Sequence, residues 1–274
     1  MKVKAMIRCE KNFELARIVL ASRHGFQYRS QSWIDTSDRL VNFLMSDKSG
    51  QIAAVTGPSG SGVTMMFRRL ILHPAFDGVK ISAKIEGSDS RLVDHICAEY
   101  GLTPPDMKFK RFPLVLAQYL RLTGKKHLLI DDLDCLSGSA QGYSKLADEI
   151  SKLQTAEIKL NLIISTRSRQ LLTQIAKHCV DISEIRLERA LFRDECVQLI
   201  NQFWDWCNAN FALDFGYPDQ ALKACAELEF EIDKVMAYLE YTYAAKILFG
   251  ASFDSRSFAS QENLMYEVES YLYG

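Results

Sequence analysis

Residues Gly57-Pro58-Ser59-Gly60-Ser61-Gly62-Val63-Thr64 follow a short apolar run, Gln51 to Thr56, and precede a helical pattern from Thr64 to Leu72. No other stretch restricts the fold as strongly. A buried strand that ends in closely spaced glycines and turns into a helix lets successive backbone N–H groups curl around an anion. The positive end of the helix adds to that attraction. The spacing is that of a phosphate-binding P-loop, G-x-x-x-x-G-K-[ST]. Gly57, four free positions, Gly62 and Thr64 are all in register, and only the lysine position departs from the pattern, holding Val63.

A second motif supports the first. Leu128-Leu129-Ile130-Asp131-Asp132 is an apolar strand that ends in acid, the pattern of a Walker B carboxylate able to hold Mg2+ or its water. Thr64 and Asp131 are therefore the expected magnesium ligands. A third strand, Leu160 to Ser165, ends at Thr166, a hydroxyl placed to sense a γ-phosphate and equally suited to capping the next helix.

Further short runs complete the pattern. Val79 to Ala83 and Glu184 to Leu187 read as strands, and Arg91 to Tyr100, Phe112 to Leu122, Tyr143 to Gln154 and Gln170 to Lys177 read as helices between them. Five strands alternating with helices give an α/β fold with a mainly parallel five-stranded sheet flanked by helices. After Arg193 the strand signal stops. Arg193 to Asn210, Asp219 to Glu227, Ile232 to Phe249 and Gln261 to Tyr271 all have helical spacing. Before the loop, Trp33-Ile34-Asp35-Thr36-Ser37 offers a cap for a helix from Asp38 to Met45. The chain thus divides into an N-terminal helical segment (1–45), a P-loop α/β domain (46–190) and a C-terminal helical lid or tail (191–274).

The 274 residues carry a net charge of -1, which excludes a uniformly basic protein and leaves room for a local basic patch. No apolar stretch reaches the roughly 18–20 residues of a spanning helix, and no signal-peptide pattern opens the chain, so a cytoplasmic location is expected. Seven dispersed cysteines without a CxxC pair fit reduced thiols rather than disulfides or zinc.

In the order of these parts the sequence resembles the TniB/TnsC family of transposon AAA+ regulators. The resemblance covers roughly residues 30–270. It is carried by Trp33-Ile34 ahead of the P-loop, by the acid-ended strand 128–132, by the strand ending Ser165-Thr166 and by the small helical domain at the end. It implies a P-loop AAA+ fold that uses ATP and Mg2+ and forms a homo-oligomer on duplex DNA. It also implies an adaptor role between a target-selector protein (TniQ-like) and a DDE transposase. Asp132 stands where the family has a water-polarising glutamate and is one methylene shorter. The stretch Lys177-His178-Cys179-Val180-Asp181 lacks the family's arginine, and Asp233-Lys234 takes the place of Gly-Arg, making Lys234 the matching nucleotide-side cation. With lysine, glutamate and arginine all replaced, the expectation is an AAA+ protein with impaired or absent ATP hydrolysis, in which Asp132 and Thr166 would be the remaining catalytic groups.

Two other readings stay open at this stage. One is an active ATPase that substitutes another cation, Arg68 or Lys234, for the lysine. The other is a STAND-like nucleotide-controlled switch. For DNA, Lys108, Lys110 and Arg111 form the best cluster for phosphate contacts, followed by Lys125-Lys126 and the pair Arg167 and Arg169. No recognition-helix or zinc-finger spacing is present, so contact with DNA would be sequence-tolerant.

Overall fold

The computed structural model describes residues 10–57, 61–81, 91–105, 111–136, 140–155, 160–188, 190–218, 221–250, 253 and 261–273. Five apolar runs form strands: β1 (Ile52–Thr56), β2 (Gly78–Ile81), β3 (His127–Ile130), β4 (Asn161–Thr166) and β5 (Ile182–Arg186). The helices are α1 (Glu10–Ala21), α2 (Gln31–Leu44), α3 (Val63–Ile71), α4 (Leu92–Glu99), α5 (Leu114–Leu122), α6 (Ala140–Thr155), α7 (Arg169–His178), α8 (Arg193–Phe211), α9 (Ala221–Glu227), α10 (Ile232–Phe249) and α11 (Gln261–Tyr273). The chain forms two compact units. One is Ser32–Glu188; the other joins Met1–Gln31 to Arg189–Gly274.

The first unit holds the sheet, ordered β2-β3-β4-β1-β5 and parallel at every pairing. β3 and β4 are buried along their whole length, as continuous apolar runs in a two-sided parallel sheet should be. Side chains alternate between the faces. Ile52, Ala54, Leu128, Ile130, Leu162 and Ile164 pack under α4 to α7. Ala53, Val55, Leu129, Ile163 and Ile185 pack under α2 and α3. Charged side chains sit on the edge strands, Lys80 on β2 and Glu184 and Arg186 on β5, where they discourage pairing with another chain.

α2 begins earlier than the cap signal predicts. Trp33, Thr36, Leu40 and Leu44 form one buried stripe at helical spacing, so Asp35-Thr36-Ser37 lies inside the helix. Its first residue is capped from afar, with the Gln31 N–H donating to Glu195 Oε1 at 2.7 Å. Of the expected strand 79–83, Ser82 and Ala83 lie outside the described residues.

His127 opens β3 and is buried. Its ring stacks on Phe76, and its Nδ1 lies 3.2 Å from the Asp77 carbonyl oxygen. Burial pushes its pKa below the ordinary 6.5. A lowered histidine pKa means that the unfolded chain takes up the proton first. Stability is complete above about pH 6.5 and falls as the pH drops through the window below it, at on the order of 1 kcal/mol per pH unit. Urea midpoints at pH 7.5 and 5.5 should therefore differ more for the wild type than for His127→Gln. Equal differences would show that His127 does not titrate on unfolding.

The second unit is helical, built from α1 and α8 to α11 around Trp204, Phe203 and Tyr243. Trp206 packs partly buried against Phe26, Phe203 and Phe211, so both tryptophans of the Phe203–Trp206 stretch serve the core. The six described cysteines are free thiols. Burial pushes Cys179 up to about 11 and Cys207 up to about 12, which keeps them protonated and inert.

Candidate functional site

Parallel pairing brings the carboxyl ends of β1, β3 and β4 to one edge of the sheet. Gly57 leaves β1 there. A Cβ on Gly57 would meet Ser61 Oγ at 2.6 Å and Leu187 Cβ at 3.1 Å, so this position has little room for a side chain. Gly62 caps α3 with φ +85, a left-handed conformation that glycine adopts without cost. The Trp33 indole N–H donates to the Gly62 carbonyl at 3.3 Å, and the Arg69 guanidinium lies over the Trp33 ring, 5.4 Å from its centroid. The tryptophan ahead of the P-loop thus buttresses the loop's last glycine. Pro58, Ser59 and Gly60 lie outside the described residues.

Val63 is the first residue of α3. It packs, half-buried, against the cluster of Trp33, Leu40, Val55 and Phe67, with its Cγ2 3.3 Å from the Cβ position of Gly57. At the lysine position the chain therefore places an apolar plug. Thr64 is exposed one residue further on.

β4 lies between β1 and β3, so the loop and the acids are separated by two strand spacings of about 4.8 Å each, with Ser165 and Thr166 between them. These groups are bonded to one another. The Ser165 hydroxyl donates to Asp131 Oδ1 at 2.9 Å and accepts from the Asp132 N–H at 2.7 Å. The Thr166 hydroxyl donates to Asp134 Oδ1 at 2.8 Å, and the Arg167 N–H donates to Asp134 Oδ2 at 2.7 Å. Asp132 has φ +55, a left-handed conformation that aspartate tolerates better than most residues. Its carboxylate takes Arg167 Nη2 at 3.3 Å and Cys135 Sγ at 3.1 Å, and that contact holds the Cys135 thiol above its usual pKa. The Lys80 ammonium lies 3.7 Å from Asp131 Oδ2. Beside this network Asp132, Asp134, Cys135, Tyr143, Arg167 and Ser168 line an open depression of about 490 Å³.

Of the expected site residues, the structure gathers Asp131, Asp132 and Thr166 into one network and sets Gly57, Ser61, Gly62, Val63 and Thr64 at the head of α3. Lys234 belongs to the helical unit, where it pairs with Glu231 at 3.1 Å. Arg68 is on α3 and exposed. Of the expected DNA cluster Arg111 is exposed, while Lys108 and Lys110 lie outside the described residues. Sequence reasoning did not single out Lys80, Asp134 or Ser165 as site residues, and it offered Arg167, with Arg169, as a secondary pair for DNA phosphates. Neighbouring strand ends in a parallel sheet bring such residues together, but only once the strand order is known.

The start of α3 suits a nucleotide phosphate, because it has no side-chain cap and the first N–H groups of a helix have no partner within it. The acids suit Mg2+ poorly. This ion prefers octahedral oxygen coordination with several of its own waters retained. Here one Asp131 oxygen accepts from Ser165 and the other faces an ammonium. Among the described residues no group of three or more His, Cys, Asp or Glu side chains is arranged to hold a metal ion.

Sheet order, loop and acid-ended strand together define a P-loop AAA+ fold. Residues 46–175 match the sequence model of a family described as AAA domain. No curated protein matches the chain. Among solved structures, the Walker-type ATPase PABY2304 of Pyrococcus abyssi is similar at 12% identity, covering 90% of this chain and 75% of that one with a TM-score of 0.53, a likeness of fold. Drosophila ORC bound to DNA is similar at 13% identity, covering 93% of this chain and 70% of that one at 0.49. Domain III of the Thermotoga maritima replication initiation protein DnaA is similar at 11% identity, covering 98% of this chain and all of that one at 0.46. Among the described residues no helix is long and apolar enough to cross a membrane.

Proposed function

We propose that this chain is a nucleotide-binding AAA+ adaptor that hydrolyses ATP slowly or not at all. It would act in the cytoplasm in DNA transposition, assembling as a homo-oligomer on duplex DNA and bridging a target selector and a transposase. The observation that carries the first part is the polar network at the strand ends. A water-polarising carboxylate needs a lone pair aimed at the attacking water. Oδ2 of the Asp132 carboxylate is instead taken by Arg167 and Cys135, and the Thr166 hydroxyl, suited to sensing a γ-phosphate, donates to Asp134. With Val63 in place of lysine, the site keeps its N–H cradle for phosphate and loses most of the charge that stabilises transfer. The transposition role rests on the sequence resemblance alone.

A single-turnover assay with radiolabelled ATP tests the first part. Turnover should be at least about a hundredfold below that of an AAA+ ATPase with lysine, glutamate and arginine intact, while labelled ATP still binds. Turnover equal to that of such an enzyme would overturn the reading. For DNA, binding should weaken linearly on a log–log plot against salt, with a slope of about −0.9 per phosphate contacted. A flat salt dependence would remove duplex DNA from its partners.

A further inference from the structure

The chain crosses between its two compact units twice, from Gln31 to Ser32 and from Glu188 to Arg189. One side chain holds the helical unit's end of both crossings. The Glu195 carboxylate accepts from the Gln31 N–H through Oε1 at 2.7 Å and from the Phe192 N–H through Oε2 at 2.9 Å. The second bond belongs to a capping box at the head of α8. The first caps α2, whose leading N–H groups have no partner within the helix. The flanking chain is fastened as well. The Tyr28 hydroxyl donates to the Glu195 carbonyl at 2.9 Å, and the Leu191 N–H donates to the Phe230 carbonyl at 3.0 Å.

α2 carries this anchorage toward the phosphate loop. It is one continuous helix from Gln31 to Leu44. Trp33 follows Gln31 by two residues, about 3 Å along the helix axis, and its indole N–H reaches the Gly62 carbonyl. That same carbonyl accepts from the Met66 N–H at 2.9 Å, at the start of α3. A change in the first turn of α2 therefore bears directly on the residue that opens α3.

We propose that Glu195 is a positioning residue: a clasp that pins both chain crossings to the helical unit and, through the first turn of α2 and Trp33, steadies the head of α3. The inference goes beyond the nucleotide reading above, because the clasp acts on Gly62 whether or not a nucleotide is bound. Carboxylate suits the role, since its two oxygens accept from two backbone segments at once, and hydrogen bonds to a charged group are the stronger kind.

The test is amide hydrogen exchange on the full chain, followed by mass spectrometry of peptides over 26–34, 61–67 and 190–196. Glu195→Ala should speed exchange about tenfold or more at 26–34 and 190–196, where two charge-assisted bonds are lost. It should also speed 61–67 by about threefold or more, the reach of a contact acting through another. Exchange over α10 should stay at the wild-type rate, which separates an opened clasp from general loosening. Trp33→Phe keeps a ring in place and removes the indole donor. It should speed 61–67 and leave 190–196 unchanged. Adding Glu195→Ala to it should then change 61–67 by less than Glu195→Ala does alone, because the two act along one route. Wild-type exchange at 26–34 and 190–196 in Glu195→Ala overturns the clasp. Wild-type exchange at 61–67 in that variant, or full additivity with Trp33→Phe, overturns its link to α3. If Glu195→Ala does not fold, Glu195→Gln, which keeps the size and one acceptor oxygen, is read by the same outcomes.

Discussion

Replacing Val63 by lysine is expected to tighten ATP binding by about tenfold to a hundredfold, the worth of one charge-assisted contact to the phosphates, while turnover stays close to the wild-type level. The substitution suits the backbone, because Val63 is the first residue of α3 and any L-residue adopts the helical conformation there. The cost is partial loss of the valine from the cluster around Trp33 and Phe67, about 1 kcal/mol for a half-buried side chain. Turnover should not follow affinity, because the obstacle lies on another strand. Sequence comparison makes Asp132 a shortened glutamate, and a missing methylene suggests a simple repair. The structure gives a different reason. Asp132 sits in the left-handed region with its carboxylate on Arg167. A glutamate there is less at ease in that backbone, by about 1 kcal/mol, and meets the same arginine. Val63→Lys with Asp132→Glu should therefore bind ATP tightly and still turn over slowly. Calorimetric binding and phosphate-release assays on the two variants check this. Rapid release by Val63→Lys alone would show that the missing lysine was the whole defect and that the strand-end network does not restrain hydrolysis.

The contrast between Val63 and Lys80 shows which parts of this protein are legible in its sequence. Local signals worked well. The helix expected from Ile232 to Phe249 is α10 residue for residue, and the acid-ended strand expected over 127–131 is β3, with Asp131 just beyond its end. Apolar periodicity and strand-to-glycine transitions are properties of adjacent residues, so the chain displays them directly. Strand order is not such a property. Nothing in Val79-Lys80-Ile81 says that its strand lies beside the one ending in Asp131, so nothing marks Lys80 as a neighbour of that acid. The same gap hid the partner of Arg167. It reads as a surface cation until β4 is set against β3, when it becomes the partner of Asp132. The start of α2 failed for a related reason, since the Glu195 carboxylate that caps it comes from a distant part of the chain.

In the helical unit the largest effect on stability should come from Trp204→Ala, at about 3–5 kcal/mol for a large aromatic truncated in a packed core. Trp204 is fully buried. Its ring meets Tyr243 edge to face with centroids 4.9 Å apart, and the Lys246 ammonium lies 5.5 Å from its ring centroid. Its indole N–H donates to the Phe215 carbonyl at 3.0 Å. Trp204→Phe separates packing from this hydrogen bond. The Phe215 carbonyl also accepts from Asn208 Nδ2 at 3.1 Å, so losing the indole does not leave it unpaired. Phenylalanine also retains a ring against Tyr243. The cost of Trp204→Phe should therefore be only about 1–2 kcal/mol, one modest hydrogen bond and a small loss of volume. Urea denaturation followed by far-UV circular dichroism measures both. A Trp204→Phe variant as unstable as Trp204→Ala would place the weight on the indole N–H. The turn that holds Asn208, Phe215 and Tyr243 together would then depend on that single donor.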